Sequence, residues 1–122
     1  MKKAHFVSLG CAKNLVDSET AAGLLGAKGW ALTAFPEDAD AVVINTCAFT
    51  RDAREESNNE INRLSKKISS SAYFVVCGCL GQLEKKKLFE KFPRIDAIAG
   101  SSDYRHIGDI LKQLQKRRRY PA

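Results

Sequence analysis

Three short apolar runs, each leading into a cysteine, constrain the fold of this chain more than any other feature. The cysteines are Cys11, Cys47 and Cys79, which follow one another at intervals of 36 and 32 residues. Each run has the length and composition of a buried β-strand, and each passes through a polar or glycine step before the thiol. The three cysteines therefore occupy equivalent positions, each at the carboxyl end of a strand.

Helical periodicity separates these strands. Apolar and turn patterns predict strands over 5–9, 30–35, 41–45, 72–77 and 95–99, and helices over 15–28, 52–68, 80–92 and 102–114. Asn14 is predicted to cap the first helix and Gly29 to end it. Asp52, with Glu55 three residues later, has the pattern of a capping box for the second.

Strands that alternate with helices of this length form a largely parallel sheet covered on both faces. We predict a three-layer, flavodoxin-like α/β domain with a mainly parallel five-stranded sheet in the order 2-1-3-4-5. At 122 residues the chain has the length of one domain. We assign that domain to residues 1–115 and expect 116–122 to form a basic linker stub.

The charge and the cysteine content limit the class of protein. Of the formal charge of +6, residues 116–119 (KRRR) supply four, so the body of the chain is only weakly basic. An apolar fraction of 44% needs no disulfide framework, which favours an intracellular, cytoplasmic protein. No apolar stretch approaches the length of about 18 residues that a membrane span requires, so we expect no membrane contact.

The carboxyl ends of parallel strands share one edge of a sheet, where such folds bind ligands. Cys11, Cys47 and Cys79 should meet there, next to helix starts that favour the metal-ligating thiolate. Three thiolates suit either zinc with a fourth ligand or an iron–sulfur cluster with one open iron, and His5 and His106 stand at no ligand-like spacing. The alternative is that the three cysteines are ordinary buried residues that bind no metal.

The fourth cysteine, Cys77, is predicted to differ from the other three. It lies inside an apolar strand, where a buried cysteine behaves as a small hydrophobic residue. We expect it to pack among its neighbours Phe74 and Val76, while Gly78 permits a turn that carries Cys79 out over the sheet edge.

Three segments around the cysteines resemble a known family. Residues 8–19 (SLGCAKNLVDSE), 45–49 (NTCAF) with 55–57 (EES), and 78–80 (GCL) are similar to the cysteine motifs in the N-terminal domain of radical-SAM methylthiotransferases. The match covers nearly the whole chain. Lys13 and Val16 favour the ribosomal-protein branch of this family over its tRNA-modifying branch.

The resemblance implies a [4Fe-4S] cluster held by Cys11, Cys47 and Cys79, whose open iron carries the sulfur group to be transferred. Asn14 and Asn45 flank two of these ligands and could donate hydrogen bonds to cluster sulfides, although helix capping or loop structure explains them as well.

The implied activity is insertion of sulfur into a C–H bond of an aspartate in a small-subunit ribosomal protein, followed by methylation. Such enzymes cleave S-adenosylmethionine at a second [4Fe-4S] cluster on a C-x₃-C-x₂-C loop, which these 122 residues do not contain. We therefore expect that this chain contains no catalytic residue and that a radical-SAM domain lies in cis. We also expect that a sulfur donor is a partner and that the protein is a monomer. The alternatives are the tRNA adenosine branch and a non-catalytic zinc or thiol-redox module.

Overall fold

The computed structural model describes residues 2–9, 12–46, 51–78, 86–99 and 106–116. Strands and helices alternate along them as the sequence predicts. In chain order they are β1 (Lys3–Ser8), α1 (Ala12–Ala27), β2 (Ala31–Leu32), a 3₁₀ turn (Pro36–Asp38), β3 (Ala41–Thr46), α2 (Arg51–Lys67), β4 (Tyr73–Gly78), helical residues 86–91 (α3), β5 (Ala97–Ile98) and α4 (Ile107–Lys116).

The five strands form one sheet in the order β2-β1-β3-β4-β5, and every neighbouring pair is parallel. The predicted strand order and orientation are therefore confirmed. β3 lies at the centre, and all six of its residues are buried because strands flank it and helices cover it. This explains why its sequence is a nearly continuous apolar run instead of an alternating one.

Two apolar cores fill the two faces of the sheet, which confirms the three-layer architecture. One core lies under α2 and α3 and comprises Ala39, Val42, Ile44, Ile61, Leu64, Ile68, Phe74, Val76, Leu88, Phe92, Ile95 and Ile98. The other lies under α1 and α4 and comprises Ala4, Ala21, Leu25, Ala41, Val43, Val75, Cys77, Ala97, Ala99, Ile107, Ile110, Leu111 and Leu114. Successive residues of β3 and β4 alternate between the two cores, as strand geometry requires.

The start of α1 differs from its prediction. The helix begins at Ala12, so Asn14 lies within its first turn and is not the N-cap. Alanine and lysine are good helix formers. Ala12 and Lys13 therefore extend the helix toward its N-terminus, beyond Asn14, whose side chain best suits a cap. The predicted end is confirmed, because Gly29 has a φ of +93° and the Trp30 amide donates to the Leu25 carbonyl at 3.1 Å, as in a Schellman turn.

The edge strands β2 and β5 are shorter than predicted. Each contributes only two residues to the ladder, Ala31–Leu32 and Ala97–Ile98. After β2 the chain turns through Pro36, whose ring fixes φ and removes a donor. α2 in turn begins by Arg51, so Asp52 lies in its first turn and does not precede it.

A partly buried ion pair joins the turn before β5 to the start of β4. Asp96 accepts hydrogen bonds from the Phe74 amide and from Nη1 of Arg94, both at 2.9 Å. The Nη2 atom of Arg94 donates to the carbonyls of Ser69 at 2.8 Å and Ala72 at 2.5 Å. The pair thus holds the short edge strand against β4 where few ladder bonds are available.

Candidate functional site at the carboxyl edge of the sheet

The ends of β1, β3 and β4 lie side by side at one edge of the sheet. In the register, Ser8 pairs with Asn45 and Asn45 pairs with Cys77, so one row crosses the three strands. The next row pairs Thr46 with Gly78. Neighbouring strands are spaced by about 4.8 Å, so this edge brings three chain segments within roughly 10 Å of one another.

Hydrogen bonds join the three strand ends. The Leu9 amide donates to the Asn45 carbonyl at 3.0 Å and thereby ties β1 to β3. The Oγ1 hydroxyl of Thr46 donates to the Cys77 carbonyl at 2.8 Å and ties β3 to β4. We call Leu9, Asn45, Thr46, Cys77 and Gly78 the strand-end network. Asn45, Thr46 and Cys77 are 3%, 0% and 2% exposed, so these contacts are shielded from water.

The backbone of Gly78 lies close against Asn45 and Thr46 in this network. Its φ is +96°, a conformation that side-chain-bearing residues rarely adopt. A Cβ at this position would lie 2.5 Å from Oδ1 of Asn45 and 2.5 Å from the carbonyl oxygen of Thr46. The absence of a side chain therefore lets the end of β4 lie directly against the end of β3.

Cys77 is buried, as predicted, but its neighbours differ from those predicted. It belongs to the core under α1 and α4, together with Val43 and Val75, whereas Phe74 and Val76 face the opposite core. The period of two along β4 places residues 75 and 77 on one face and residues 74 and 76 on the other. The Cys77 thiol lies 3.5 Å from the Ile44 carbonyl as a weak donor.

The predicted ligands Cys11, Cys47 and Cys79 lie outside the described residues. What the structure does describe is the chain next to them, since Cys47 directly follows Thr46 and Cys79 directly follows Gly78. Of the two asparagines predicted beside the ligands, Asn45 lies buried in the strand-end network. The backbone of Asn14 belongs to the first turn of α1.

Neither histidine joins the strand-end network. His5 is half-buried, and its Nδ1 lies 2.9 Å from the Thr33 carbonyl. His106 is exposed, with its Nδ1 3.8 Å from an oxygen of Asp109.

Within the part of the chain that the structure describes, no three His, Cys, Asp or Glu side chains form a group that could hold a metal ion. No helix in this part has the length and hydropathy to cross a membrane.

The sequence patterns assign no separate role to Thr46, although it lies within the motif at 45–49 (NTCAF). The only signal for such a role is that Asn45 and Thr46, two polar residues, separate the apolar run 41–44 from Cys47. A hydroxyl buried at the end of a central strand needs a hydrogen-bond partner, and the neighbouring strand supplies one.

An open cavity of about 300 Å³ lies elsewhere, lined by Lys28, Trp30, Gly108, Asp109, Leu111 and Lys112. Trp30 directly precedes β2, which starts beside Lys3 at the amino ends of the strands. The ammonium of Lys2 lies 5.7 Å from the centroid of the Trp30 ring. This cavity therefore shares no residue with the strand-end network.

Comparison with known proteins identifies the family of this chain. Residues 3–100 match the family described as Uncharacterized protein family UPF0004. Curated relatives named ribosomal protein uS12 methylthiotransferase RimO are 41% identical in Lachnoclostridium phytofermentans, over 92% of this chain and 26% of the relative, and 44% identical in Syntrophus aciditrophicus, over 92% and 25%. The protein of the same name from Clostridioides difficile is 41% identical over 95% of this chain and 27% of its own length.

The chain spans about a quarter of the length of the curated relatives that it matches. The resemblance to methylthiotransferases that the cysteine motifs indicate is confirmed by these relatives. The chain therefore belongs to the family described as Uncharacterized protein family UPF0004, and ribosomal protein uS12 methylthiotransferases are among the proteins most similar to it.

Proposed function

We propose that this chain is the cluster-binding domain of a radical-SAM methylthiotransferase, with a [4Fe-4S] cluster held by Cys11, Cys47 and Cys79. The observation that carries the proposal is the alignment of the strand ends. Leu9, two residues before Cys11, is hydrogen-bonded to β3, and Thr46 and Gly78, which precede the other two cysteines, occupy one row of the sheet. Three thiolates at this edge would supply the cysteine ligands of one cluster with an open iron.

The chemistry of the strand-end network supports a cluster with three ligands. Asn45, Thr46 and Cys77 are buried, and the network has no histidine or carboxylate that would complete a zinc site. A [4Fe-4S] cluster with three cysteine ligands would keep one iron open, and that iron would supply the site for the sulfur group to be transferred. The described residues would fix the strand ends from which the ligands follow.

The proposed substrate is a small-subunit ribosomal protein, modified at an aspartate. Its support is the name of the relatives, ribosomal protein uS12 methylthiotransferase, which gives uS12 as their substrate. S-adenosylmethionine and a second [4Fe-4S] cluster would be bound by a radical-SAM domain in the same polypeptide, and a sulfur donor would reload the site. We place the enzyme in the cytoplasm, where its proposed ribosomal substrate is made. We also propose that it is a monomer.

Anaerobic reconstitution of the 122-residue chain with iron and sulfide tests the cluster. We expect about four irons and four sulfides per chain, with broad visible absorbance. Stoichiometric zinc after purification, with no uptake of iron and sulfide, would support the zinc or thiol-redox module instead.

A separate assay tests the substrate. The full-length enzyme that carries this domain is incubated with S-adenosylmethionine and a reductant, and with either the ribosomal protein or tRNA. We expect mass spectrometry to find the methylthio group on an aspartate of the ribosomal protein. Modification of an adenosine in tRNA, with the ribosomal protein unchanged, would assign the chain to the tRNA-modifying branch.

A further inference from the structure

The Thr46 hydroxyl forms a hydrogen bond from β3 to β4 at the end of the sheet. It is fully buried, and its Oγ1 donates to the Cys77 carbonyl at 2.8 Å. The two residues are 31 apart in sequence, so this bond is a tertiary contact. It joins the residue immediately before Cys47 to the residue two positions before Cys79.

The geometry around this bond leaves little freedom. On the β4 side, Gly78 brings its backbone against the Thr46 peptide, where a Cβ would lie 2.5 Å from the Thr46 carbonyl oxygen and 2.9 Å from its amide nitrogen. On the β3 side, the Asn45 carbonyl already accepts the Leu9 amide from β1. Thr46 thus lies where the end of β4 approaches β3 too closely for a Cβ at Gly78, and a rotation of its side chain would break the bond.

We propose that Thr46 is a positioning residue for the proposed cluster, because its hydroxyl bond to the Cys77 carbonyl holds together the two strand ends that Cys47 and Cys79 follow in the sequence. The inference rests on the proposed cluster but concerns a residue that ligates nothing. Metal ligands depend on the partners that orient them, and loss of such a partner costs metal affinity by tenfold or more. In this site Thr46 would orient the ligands indirectly, through its hydrogen bond to the backbone of β4.

A purely structural role for Thr46 predicts a different effect of its substitution on the cluster. If the hydroxyl only satisfies a buried carbonyl, its removal lowers the stability of the apo chain and leaves the cluster unchanged in every chain that folds. The two roles are separated by measuring cluster retention and apo stability in the same variants.

The test uses the 122-residue chain, reconstituted with iron and sulfide without air, as wild type, Thr46→Val and Thr46→Ser. Valine keeps the branched shape and removes the hydroxyl, whereas serine keeps the hydroxyl. Iron loss to a ferrous chelator is followed by visible absorbance, and apo stability is followed by thermal unfolding. Ser65→Ala is the matched control, since the Ser65 hydroxyl also donates to a backbone carbonyl, that of Ile61 at 2.7 Å, but within α2.

We expect Thr46→Val to lose iron about tenfold faster than wild type, and Thr46→Ser and Ser65→Ala to match wild type within a factor of two. Equal retention in Thr46→Val and wild type would overturn the positioning role while leaving the cluster proposal intact. Failure of the wild type itself to take up iron would refute the cluster proposal. Should Thr46→Val not fold, Thr46→Ala is compared with Thr46→Ser, and equal retention in that pair would overturn the inference in the same way.

Discussion

At the scale of single residues, the carboxyl edge of the sheet depends on small and hydroxyl-bearing side chains. Gly78 allows the end of β4 to lie against Asn45 and Thr46, and Thr46 hydrogen-bonds back to β4. Cys77, one residue before the glycine, turns its thiol into the core under α1 and α4. Two neighbouring cysteines, Cys77 and Cys79, therefore have different expected roles, one in packing and one as a ligand.

Alanine substitutions separate the four cysteines. We expect alanine at Cys11, Cys47 or Cys79 to abolish the visible absorbance of the reconstituted cluster, because each change removes a proposed ligand. Cys77→Ala should keep that absorbance and lower the free energy of unfolding by about 1 kcal/mol, as for a small truncation in a core. Loss of absorbance in Cys77→Ala, with retention in Cys79→Ala, would refute the ligand assignment.

Gly78 and Gly29 form a matched pair for testing the close approach at the edge. Both have a positive φ, +96° and +93°, but a Cβ at Gly29 meets no atom within 4 Å. We expect Gly29→Ala to cost about 1 kcal/mol of unfolding free energy from backbone strain alone. Gly78→Ala adds a clash and should cost about 3 kcal/mol, measured by urea unfolding of the apo chain. Equal losses in the two variants would show that the packing against Asn45 and Thr46 is not tight.

At the scale of elements, the short edge strand β5 is held by side chains as much as by its ladder. Only Val75–Ala97 and Val76–Ile98 pair in the register, flanked by the bonds from the Asp96 amide to the Phe74 carbonyl and from the Ala99 amide to the Val76 carbonyl. The Arg94–Asp96 pair reinforces this contact by binding the amide of Phe74 and two carbonyls before β4. Its position explains how two residues of strand suffice to complete the sheet.

The contribution of this ion pair is measurable. Asp96→Ala leaves the largely buried Arg94 guanidinium without its carboxylate and the Phe74 amide without an acceptor, so we expect a loss of about 3 kcal/mol in unfolding free energy. Glu60→Ala removes a more exposed pair with Arg63 on α2 and should cost about 0.5 kcal/mol. Chemical denaturation of both variants is the measurement, and a loss in Asp96→Ala no greater than in Glu60→Ala would contradict this account.

At the scale of the whole molecule, the doubly covered sheet gathers the ends of its three middle strands at one edge. α1 and α4 cover one face and α2 and α3 the other, so the interior is divided into two cores that close around β3. The described ends of β1, β3 and β4 thus form a buried platform at the edge from which the proposed ligands follow in the sequence.

The 122-residue chain is accordingly expected to be inactive on its own. Its four cysteines, at positions 11, 47, 77 and 79, do not have the C-x₃-C-x₂-C spacing of the loop that the proposed radical-SAM domain would carry. After reconstitution and addition of S-adenosylmethionine and dithionite, we expect no 5′-deoxyadenosine above the blank by liquid chromatography. A full-length radical-SAM enzyme serves as positive control, and turnover by the chain alone would contradict the expectation.

The sequence by itself determined the class of fold and the order of its elements, and it predicts that three cysteines follow equivalent strand ends. These follow from local periodicity, since buried strands and amphipathic helices reveal themselves within windows of about ten residues. The local signals failed at element ends, where the helix-forming Ala12 and Lys13 outweighed the capping preference of Asn14.

Only the tertiary structure decided which strand ends touch and how. The Thr46–Cys77 bond joins residues 31 apart, and the Asp96–Phe74 bond joins residues 22 apart. The face on which Cys77 packs depends on the register and coverage of the central strands as much as on its neighbours in sequence. Such contacts arise from strand register, and a shift of one residue would turn every side chain of a strand to the other face.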